Sequence, residues 1–580
     1  MEESKESPTP PSETEHAPTP TSATSKEAVV SLTPHGIDEP VPHLHAKTFL
    51  AVIAVCLIYF SQLVSIVGAG VQAQTIAAHF HDATNSVWFL QCIGIFTVVV
   101  GPIVCQAADL WGRKWFLVSL TLSGGVGSII ISRASSMAMA IAGFSFVGAS
   151  FGIQPLLHAV TAEILPRRWR AWAAAIPQIA SMIGSIIGLL VGAALNRTND
   201  PASDGFRKYF YIAMSCFLFA TLVCALVYNP PPLPAQSQYT FAQKLRKLDW
   251  PGYFLFAAGL TLFSVALSYS KNPYPWSNAR VSATFAVGVA LSLAFALYST
   301  VYKKDGLFHH GLFSRNSNFS VATFAIFFEG VAFFAINSYL AFEIGVLYET
   351  DAVLVAVRAG LFFIVAVPSA CLAGWWCART RRVRWITVGA FALLTVFFVC
   401  MATARRGSDH AVWGYVVLPG MAFGVIISTL IAVAQVSTPP ELISIASGLF
   451  ISVRSLGGTV GLAVYNAIFN EAMTKLGRNV GEAVVPKGLA VEDIPGFVAA
   501  LASRNETAVR AVPGITLEIV NSGVAALLDT YVVAFRHVWI AAGCFLVLAA
   551  VASLFLVEQE SEFNNHIDNP VERREELYAD

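Results

Sequence analysis

Hydrophobic residues fall into long uninterrupted stretches that are separated by short polar segments. A helix needs about 20 apolar residues to cross the hydrocarbon core of a bilayer. Stretches of that kind lie near residues 48–70, 86–107, 115–132, 138–162, 171–194, 208–228, 250–270, 279–301, 319–346, 354–377, 384–403, 411–435, 442–469 and 534–556. The pattern predicts an all-α polytopic membrane protein with 14 transmembrane helices.

The polar segments divide the chain into parts. The first 46 residues are rich in Ser, Thr, Pro and Glu, a composition typical of a disordered tail. Short amphipathic segments such as "IPGFVAALASRNETAVRAV" interrupt the longest loop. We predict a tail (1–46), a six-helix bundle (47–228), a proline-rich linker (229–249), two extra helices (250–301), a second six-helix bundle (302–557) that includes an outer loop (470–533), and a second tail (558–580).

Lys and Arg concentrate in alternate loops, such as "DLWGRKW", "LPRRWRAW", "KLRKLDW" and "RTRRVRW". Short loops rich in these residues stay on the cytoplasmic side of a membrane. This bias predicts that both termini are cytoplasmic. Asn196 and Asn505, which begin the sequons "NRT" and "NET", then fall on outer loops and are candidates for glycosylation.

Composition excludes several classes of protein. The 580 residues are 56% hydrophobic and 12% charged, whereas soluble domains are about 25% charged. The net charge of zero gives no indication of nucleic-acid binding. All nine cysteines lie in or beside apolar stretches, which disfavours a disulfide framework or a metal site. The sequence shows no phosphate-binding loop, paired-histidine motif or nucleophile elbow, so we expect no cofactor and no enzyme activity.

A cluster of charges in "ADLWGRKW", residues 108–115, interrupts the apolar pattern. Gly112 permits a tight turn between the second and third helices, and Arg113 and Lys114 are suited to anchor the inner face. Asp109 lies at a helix C-terminus, where the helix dipole disfavours an anion, so it needs a compensating donor. The motif therefore fits a conformational latch, or alternatively a loop that sets topology and carries an incidental acid.

Charged residues inside the predicted helices are scarce. Glu329 lies in the middle of the ninth helix and Arg454 in the middle of the thirteenth. A lone charge at the bilayer centre costs at least about 2.5–3.5 kcal/mol, so each requires a partner or a wet cavity. We expect both to face a central cavity, with Glu329 as a candidate for protonation; a structural ion pair is the alternative. Further cavity candidates, each of which could instead form an inter-helix hydrogen bond, are Gln154, His158, Gln178 and Asn337.

The fifth and thirteenth helices show a weak internal repeat. Gly184, Gly188 and Gly192 recur every four residues, and Gly457 and Gly461 occupy similar places in the thirteenth helix. Such small residues let neighbouring backbones approach closely. They predict either an exchange hinge between the fifth helix and a helix of the opposite half, or ordinary helix packing. Repeats of this kind indicate a two-bundle transporter with its site between the halves.

Several motifs resemble those of the major facilitator superfamily. The "D-x-x-G-R-K" loop resembles its signature loop, and "AEILPRRWR" (162–170) resembles the loop that follows its fourth helix. "ASGLFISVRSLGGTVGLA" (446–463) and "DTYVVAFRHVW" (529–539) resemble segments of fourteen-span drug:proton antiporters. "DLWGRKWF" and "GIQPLLHAVTAEILPRRWRAWA" together are most similar to the fungal trichothecene efflux pumps. The resemblance covers most of residues 45–560.

The resemblance implies a major facilitator fold with two six-helix bundles and two extra central helices. It implies that Asp109, Glu163 and Arg170 belong to one inner charge network that locks a conformation of the transport cycle. It also implies proton-coupled efflux of small hydrophobic or amphipathic toxins or drugs by a monomer, in the plasma membrane or alternatively the vacuolar membrane. Import of iron–siderophore complexes is the alternative within this fold. Cys105 and Leu110 replace a glycine and a basic residue of the family motif.

Overall fold

The computed structural model describes residues 42–82, 84–196, 205–232, 234–269, 274–314, 317–502 and 506–572. Fourteen helices in this part are long and apolar enough to cross a membrane, as the sequence predicts. They are α1 (Ala46–Val71), α2 (Trp88–Trp111), α3 (Arg113–Ser132), α4 (Met137–Ile164), α5 (Arg170–Leu195), α6 (Gly205–Val227), α7 (Trp250–Tyr269), α8 (Ala279–Leu297), α9 (Asn318–Leu347), α10 (Ala352–Thr380), α11 (Arg384–Thr403), α12 (Asp409–Val436), α13 (Ile443–Met473) and α14 (Leu517–Ser553).

The predicted outer loop 470–533 is shorter than expected. Helix α14 begins at Leu517, where the side chain of Thr516 caps it by accepting a hydrogen bond from the Ile519 backbone N–H. The apolar pattern located only the part of this helix that crosses the bilayer. Its first turns are amphipathic, and they pack with the short helices Leu476–Val484 and Ile494–Ala502 around a small apolar core. Residues 517–533 therefore belong to the last helix and not to a loop.

The helices form two bundles that meet along two seams. Helices α1–α6 pack together, as do α9–α14. Between the bundles, α2 lies against α13, and α5 lies against α10 and α12. The extra pair α7 and α8 packs together, and α7 contacts both α2 and α13. The extra helices are central in the sequence, but they lie outside the bundles, beside the seam between α2 and α13.

Glycines bring the first and fifth helices of each bundle into close contact. A Cβ atom at Gly184 would lie 2.6 Å from the Phe60 carbonyl oxygen of α1, and one at Gly457 would lie 2.1 Å from the Phe327 carbonyl oxygen of α9. Gly188, Gly192 and Gly461 face the same two partner helices. The two bundles therefore repeat one packing arrangement.

This arrangement contradicts the expectation of an exchange hinge. The glycines of α5 face α1 of their own bundle, not a helix of the opposite half. The contact of α5 with the second bundle uses other residues, such as Trp172, which packs where a side chain at Gly374 would lie. The stripe supports the alternative interpretation, which is close helix packing.

Candidate functional site

Arg113 is the centre of a buried charge network at the face predicted to be cytoplasmic. Gly112 adopts a φ of 97°, and Arg113 begins α3 directly after this turn. The Arg113 guanidinium donates hydrogen bonds to Asp109 Oδ1 at 3.0 Å and to a carboxylate oxygen of Glu163. It also donates to Ser444 Oγ of α13 at 2.8 Å. The network, which we call the latch, thus joins the two bundles.

The structure corrects the expected roles of two latch residues. Arg113 is only 7% exposed, so it is the compensating donor that Asp109 needs and not an anchor at the membrane face. Lys114 points outward and donates to Asn229 Oδ1 at 2.5 Å. Ser444 was not identified from the sequence, since no feature distinguishes it from the neighbouring serines of α13.

Arg170 belongs to a neighbouring cluster. Its guanidinium donates to the Ala162 carbonyl oxygen and pairs with Asp568, a residue of the C-terminal tail. The sequence placed Arg170 in the network of Asp109, but the structure gives it a different carboxylate partner. Asp568 was missed because a tail of mixed polar residues gives no sequence signal of docking.

Other contacts close the seam on the same face. Gln435 Nε2 donates to the His158 carbonyl oxygen at 3.1 Å, and Arg168 Nε donates to the Ala378 carbonyl oxygen at 3.4 Å. A small apolar cluster of Ala159, Ala162 and Ile443 lies between the bundles. The face that carries the latch is therefore closed in this conformation.

A cavity of about 80 Å³ lies between the two bundles. This volume is below the range of about 300–1,000 Å³ that is usual for small-molecule sites, so the cavity must widen to hold a drug-sized substrate. Gln154, Gln178, Asn337 and Arg454, all predicted from the sequence, line it. The apolar and aromatic lining includes Tyr59, Leu63, Phe151, Phe333, Phe334 and Phe363.

Tyr59 connects the polar residues of the first bundle. Its hydroxyl accepts a hydrogen bond from Gln154 Nε2 at 2.6 Å and donates to Gln178 Oε1 at 3.3 Å. The chain of bonds joins α1, α4 and α5 at one wall of the cavity. Tyr59 was not predicted as a cavity residue, because an aromatic residue within an apolar stretch is usually a packing residue.

Arg454 faces the cavity, whereas Glu329 lies behind it. Two hydrogen bonds join them, from Nε to Oε2 at 2.7 Å and from Nη2 to Oε1 at 3.1 Å. Glu329 is fully buried and does not line the cavity, which corrects the expectation that both residues face it. The guanidinium also lies over the rings of Phe333 and Phe423, 4.7 and 5.6 Å from their centroids. Close α9–α13 packing brings the pair together.

Helix α9 changes to π-helical geometry over Ile336–Leu340. Such segments are frequent at functional sites. Here the segment carries Asn337 and Ser338, which line the cavity. Ser338 also lines an outer cleft with Asn466 and Asn470 of α13. The cavity and this cleft therefore share a wall on the side away from the latch.

Two buried titratable residues lie away from the cavity lining. His158 lines a smaller void with Gln435 and Ser447, and its ring meets the Tyr59 ring edge-on at 5.5 Å. Glu343, near the outer end of α9, accepts a hydrogen bond from Trp539 Nε1 at 2.5 Å. The structure therefore does not bring the predicted His158 into the central cavity, and it adds Glu343, a buried acid that was not predicted from the apolar pattern.

The structure describes the asparagine of one predicted glycosylation sequon, Asn196, but not that of the other, Asn505. The Asn196 side-chain Nδ2 atom, which would carry a glycan, donates to the Val71 carbonyl oxygen at 3.2 Å. Asn505 lies outside the described residues. Across the described residues, no group of His, Cys, Asp and Glu could hold a metal ion.

Residues 51–462 match the family model of the Major Facilitator Superfamily. The chain is similar to the MFS-type efflux transporter pyiT of Pyricularia grisea, with 28% identity over 67% of this chain and 64% of that protein. It is 26% identical to the MFS-type transporter ucsD of an Acremonium species over 68% of this chain and 66% of that protein. The matched region thus spans about two thirds of the length of these relatives.

Solved structures share the architecture. A bacterial homolog of the human lysosomal transporter Spinster aligns with a TM-score of 0.55 and 16% identity, covering 89% of this chain and 97% of that one. The proton:xylose symporter XylE aligns with a TM-score of 0.54 and 12% identity over 89% and 98% of the two chains. At identities this low, the similarity to these solved structures supports a shared fold only. The match of the family model to residues 51–462 shows that the chain belongs to the major facilitator superfamily, and its fourteen apolar helices make it a multi-pass membrane protein.

Proposed function

We propose that the protein exports small hydrophobic or amphipathic compounds, such as toxins or drugs, by alternating access and in exchange for protons. The observation that carries the proposal is the cavity between the bundles. Aromatic and aliphatic side chains line it, with a few polar groups grouped around Tyr59 and Arg454. The names of relatives such as pyiT, an efflux transporter, support the direction of transport.

The charge of the cavity favours neutral or weakly polar substrates. Arg454 is the single charged residue among the described residues that line it, and Glu329 neutralises that charge from behind. Phe333, Phe334 and Phe363 offer flat apolar surfaces for stacking. Gln154 and Asn337 can orient a carbonyl or hydroxyl group of the substrate. A ferric siderophore, which is large and rich in polar oxygens, fits this lining less well.

The latch suits the conformational part of the cycle. In this conformation the latch face is closed, so access from the predicted cytoplasmic side requires that Arg113 leave Ser444 and that α2 separate from α13. Asp109 and Glu163 keep Arg113 paired within the first bundle during this change. The hydrogen bond from Arg113 to Ser444 must then break between the bundles.

Glu329 is the proposed site of proton coupling. It is the carboxylate in direct contact with the cavity arginine. A proton bound to Glu329 removes its charge and frees Arg454 to interact with the cavity contents, and loss of the proton restores the pair. Without the charged Glu329 as counter-ion, Arg454 places an uncompensated positive charge at the cavity wall, which disfavours a hydrophobic substrate, so substrate and proton compete. For the cellular setting we propose a monomer in the plasma membrane with both termini in the cytoplasm.

A transport assay with inside-out vesicles tests the proposal. We expect ATP-independent accumulation of a fluorescent hydrophobic dye when the vesicle lumen is acidic, and collapse of the accumulation when a protonophore is added. Gln154→Leu should change the ranking of dyes, whereas Gln238→Leu, at an exposed linker position, should not. Uptake of labelled ferric siderophore by intact cells, with no dye accumulation in vesicles, would show an importer instead.

A further inference from the structure

The segment that follows α14 crosses the latch face from the second bundle to the first. We call residues 557–572 the strap. It is rich in acidic residues, and its path runs below the seam that the latch closes. Its contacts divide into one set on each bundle, and the polypeptide between the two sets is short.

The first part of the strap is fixed to the second bundle. The backbone N–H and carbonyl of Val557 both bond the Asn318 side chain at 2.8 Å. The Glu558 carboxylate accepts hydrogen bonds from the backbone N–H groups of Val383 and Arg384 at 2.8 and 3.0 Å, at the start of α11. An anion there is favoured by the helix dipole. This part therefore continues α14 as a structured edge of its own bundle.

The second part of the strap pairs its backbone with the loop between α4 and α5. The Arg168 N–H donates to the Asn564 carbonyl oxygen at 2.6 Å, and the Arg167 N–H donates to the His566 carbonyl oxygen at 2.9 Å. The Asn569 N–H donates to the carbonyl oxygen of Glu163 at 3.0 Å. Glu163 is a latch residue, so the strap holds the backbone that positions the latch.

Two acidic side chains of the strap enter basic or polar pockets of the first bundle. Asp568 pairs with Arg167, with nitrogen–oxygen distances of 3.0 and 2.7 Å, and with Arg170. Burial raises the pKa of Asp568, but Arg170 and Arg167 outweigh it, and the net pKa lies below the ordinary value of 3.8.

Glu572, 3% exposed, occupies the second pocket. Its carboxylate accepts hydrogen bonds from the Thr48 hydroxyl at 2.9 Å and from the His45 ring at 2.8 Å, at the start of α1. Burial raises the pKa of Glu572, but the hydrogen bonds from His45 and Thr48 outweigh it and lower the net pKa.

The reach of the strap limits how far the bundles can separate. Gln559 still contacts the second bundle, through a 3.0 Å bond from Ser437 Oγ, and Asn564 already contacts the first. Five residues span at most about 18 Å when fully extended. Part of this stretch is coiled as a 3₁₀ turn over Glu560–Glu562. Opening of the latch face beyond this reach therefore requires one end of the strap to leave its bundle.

We propose that the loop between α4 and α5, together with the start of α1, is a docking site for an acidic peptide, and that the strap is its ligand within the same chain. Docking holds the latch face closed. Residues 564–572 leave the first bundle when the cavity opens to the predicted cytoplasmic side, while residues 557–560 stay on the second. The inference rests on the alternating access of the proposed function, but not on the direction of transport or on protons.

Distances between the bundles test the docking site directly. Spin labels at the exposed positions Trp115 and Glu441, introduced as unnatural amino acids into the full-length protein, report the opening of the latch face. We expect Asp568→Lys to increase the population with a long Trp115–Glu441 distance at least threefold, because the substitution places a cation beside Arg167 and Arg170. Glu560→Lys, an equal charge change at an exposed strap residue on the second bundle, should leave the distribution unchanged.

A milder variant keeps the test independent of folding. Asp568→Asn, which removes the charge but keeps the shape, should shift the population in the same direction by a smaller factor. Elution of both variants as the wild-type species shows that they fold. Unchanged distances in both Asp568 variants would overturn the docking site, and so would an equal shift in Glu560→Lys. These outcomes require no transport, so they are separate from a failure of the export proposal.

Discussion

Glu329 and Arg454 form an ion pair in which the arginine reaches the cavity and the carboxylate lies behind it. Within the cavity lining, Arg454 is the residue that bonds Glu329 directly, so the charge of Glu329 acts on the cavity mainly through Arg454. This arrangement gives a proton a way to influence a bound substrate without direct contact. It also means that each residue is costly to remove alone.

Substitution of Glu329 by Gln leaves Arg454 without its counter-ion. Loss of one partner of a buried pair destabilises a protein by about 3–5 kcal/mol. We expect a lower melting temperature in detergent, and dye export that no longer depends on the pH gradient. Full export with unchanged pH dependence would refute the coupling role.

The double variant Glu329→Gln with Arg454→Gln separates stability from coupling. Because both charges are removed together, we expect it to melt closer to the wild type than Glu329→Gln alone. Export should still be independent of the pH gradient. If the double variant recovers both stability and pH dependence, the pair is structural only.

The role of the latch can be tested at the hydroxyl group of Ser444. Ser444→Ala removes the hydrogen bond that joins Arg113 to the second bundle and leaves Arg113 paired with Asp109 and Glu163. A hydrogen bond to a charged group contributes about 1.5–3 kcal/mol, so the closed form should lose stability by that order. We expect a longer Trp115–Glu441 distance by pulsed EPR.

Lys114→Ala is the control for the latch. Lys114 follows Arg113 in the sequence, but it bonds Asn229 away from the seam. The change should leave the distance distribution as in the wild type. An equal response of the two variants would show that any polar change in this region opens the face, and that Ser444 has no special role.

The close approach of α9 and α13 predicts opposite effects for two glycine substitutions. A Cβ at Gly457 would lie 2.1 Å from the Phe327 carbonyl oxygen, and backbone cannot move as a side-chain end can. Gly457→Ala should therefore destabilise the protein by about 1–3 kcal/mol, measured by thermal unfolding. Gly389→Ala in α11 meets no atom within 4 Å and should stabilise its helix by up to about 1 kcal/mol. Equal effects would contradict the packing.

The sequence predicted the fold better than the site. Apolar stretches located all fourteen helices because the bilayer imposes one length and one composition on each. The cost of a charge in hydrocarbon singled out Glu329 and Arg454 in the same way. Which of the two faces the cavity depends on helix rotation, which a uniformly apolar helix does not encode in its pattern. The partners Ser444 and Asp568 lie more than 300 residues from Arg113 and Arg170, and no local signal connects them.

The strap should respond to pH in a defined direction. Because docking lowers the pKa values of Asp568 and Glu572 below their ordinary values of 3.8 and 4.5, both carboxylates favour docking while they are ionised. This contribution is fully present above the undocked pKa values and is lost as the pH falls through the lower, docked values. We expect the Trp115–Glu441 distance distribution to stay constant from about pH 8 to pH 5.5 and to lengthen only below about pH 4. In Asp568→Asn the change at low pH should be smaller, since one of the two groups no longer titrates. A transition near pH 6.5 in the wild type would instead indicate control by a histidine; His45 bonds Glu572 and His566 lies 4.0 Å from Asp568.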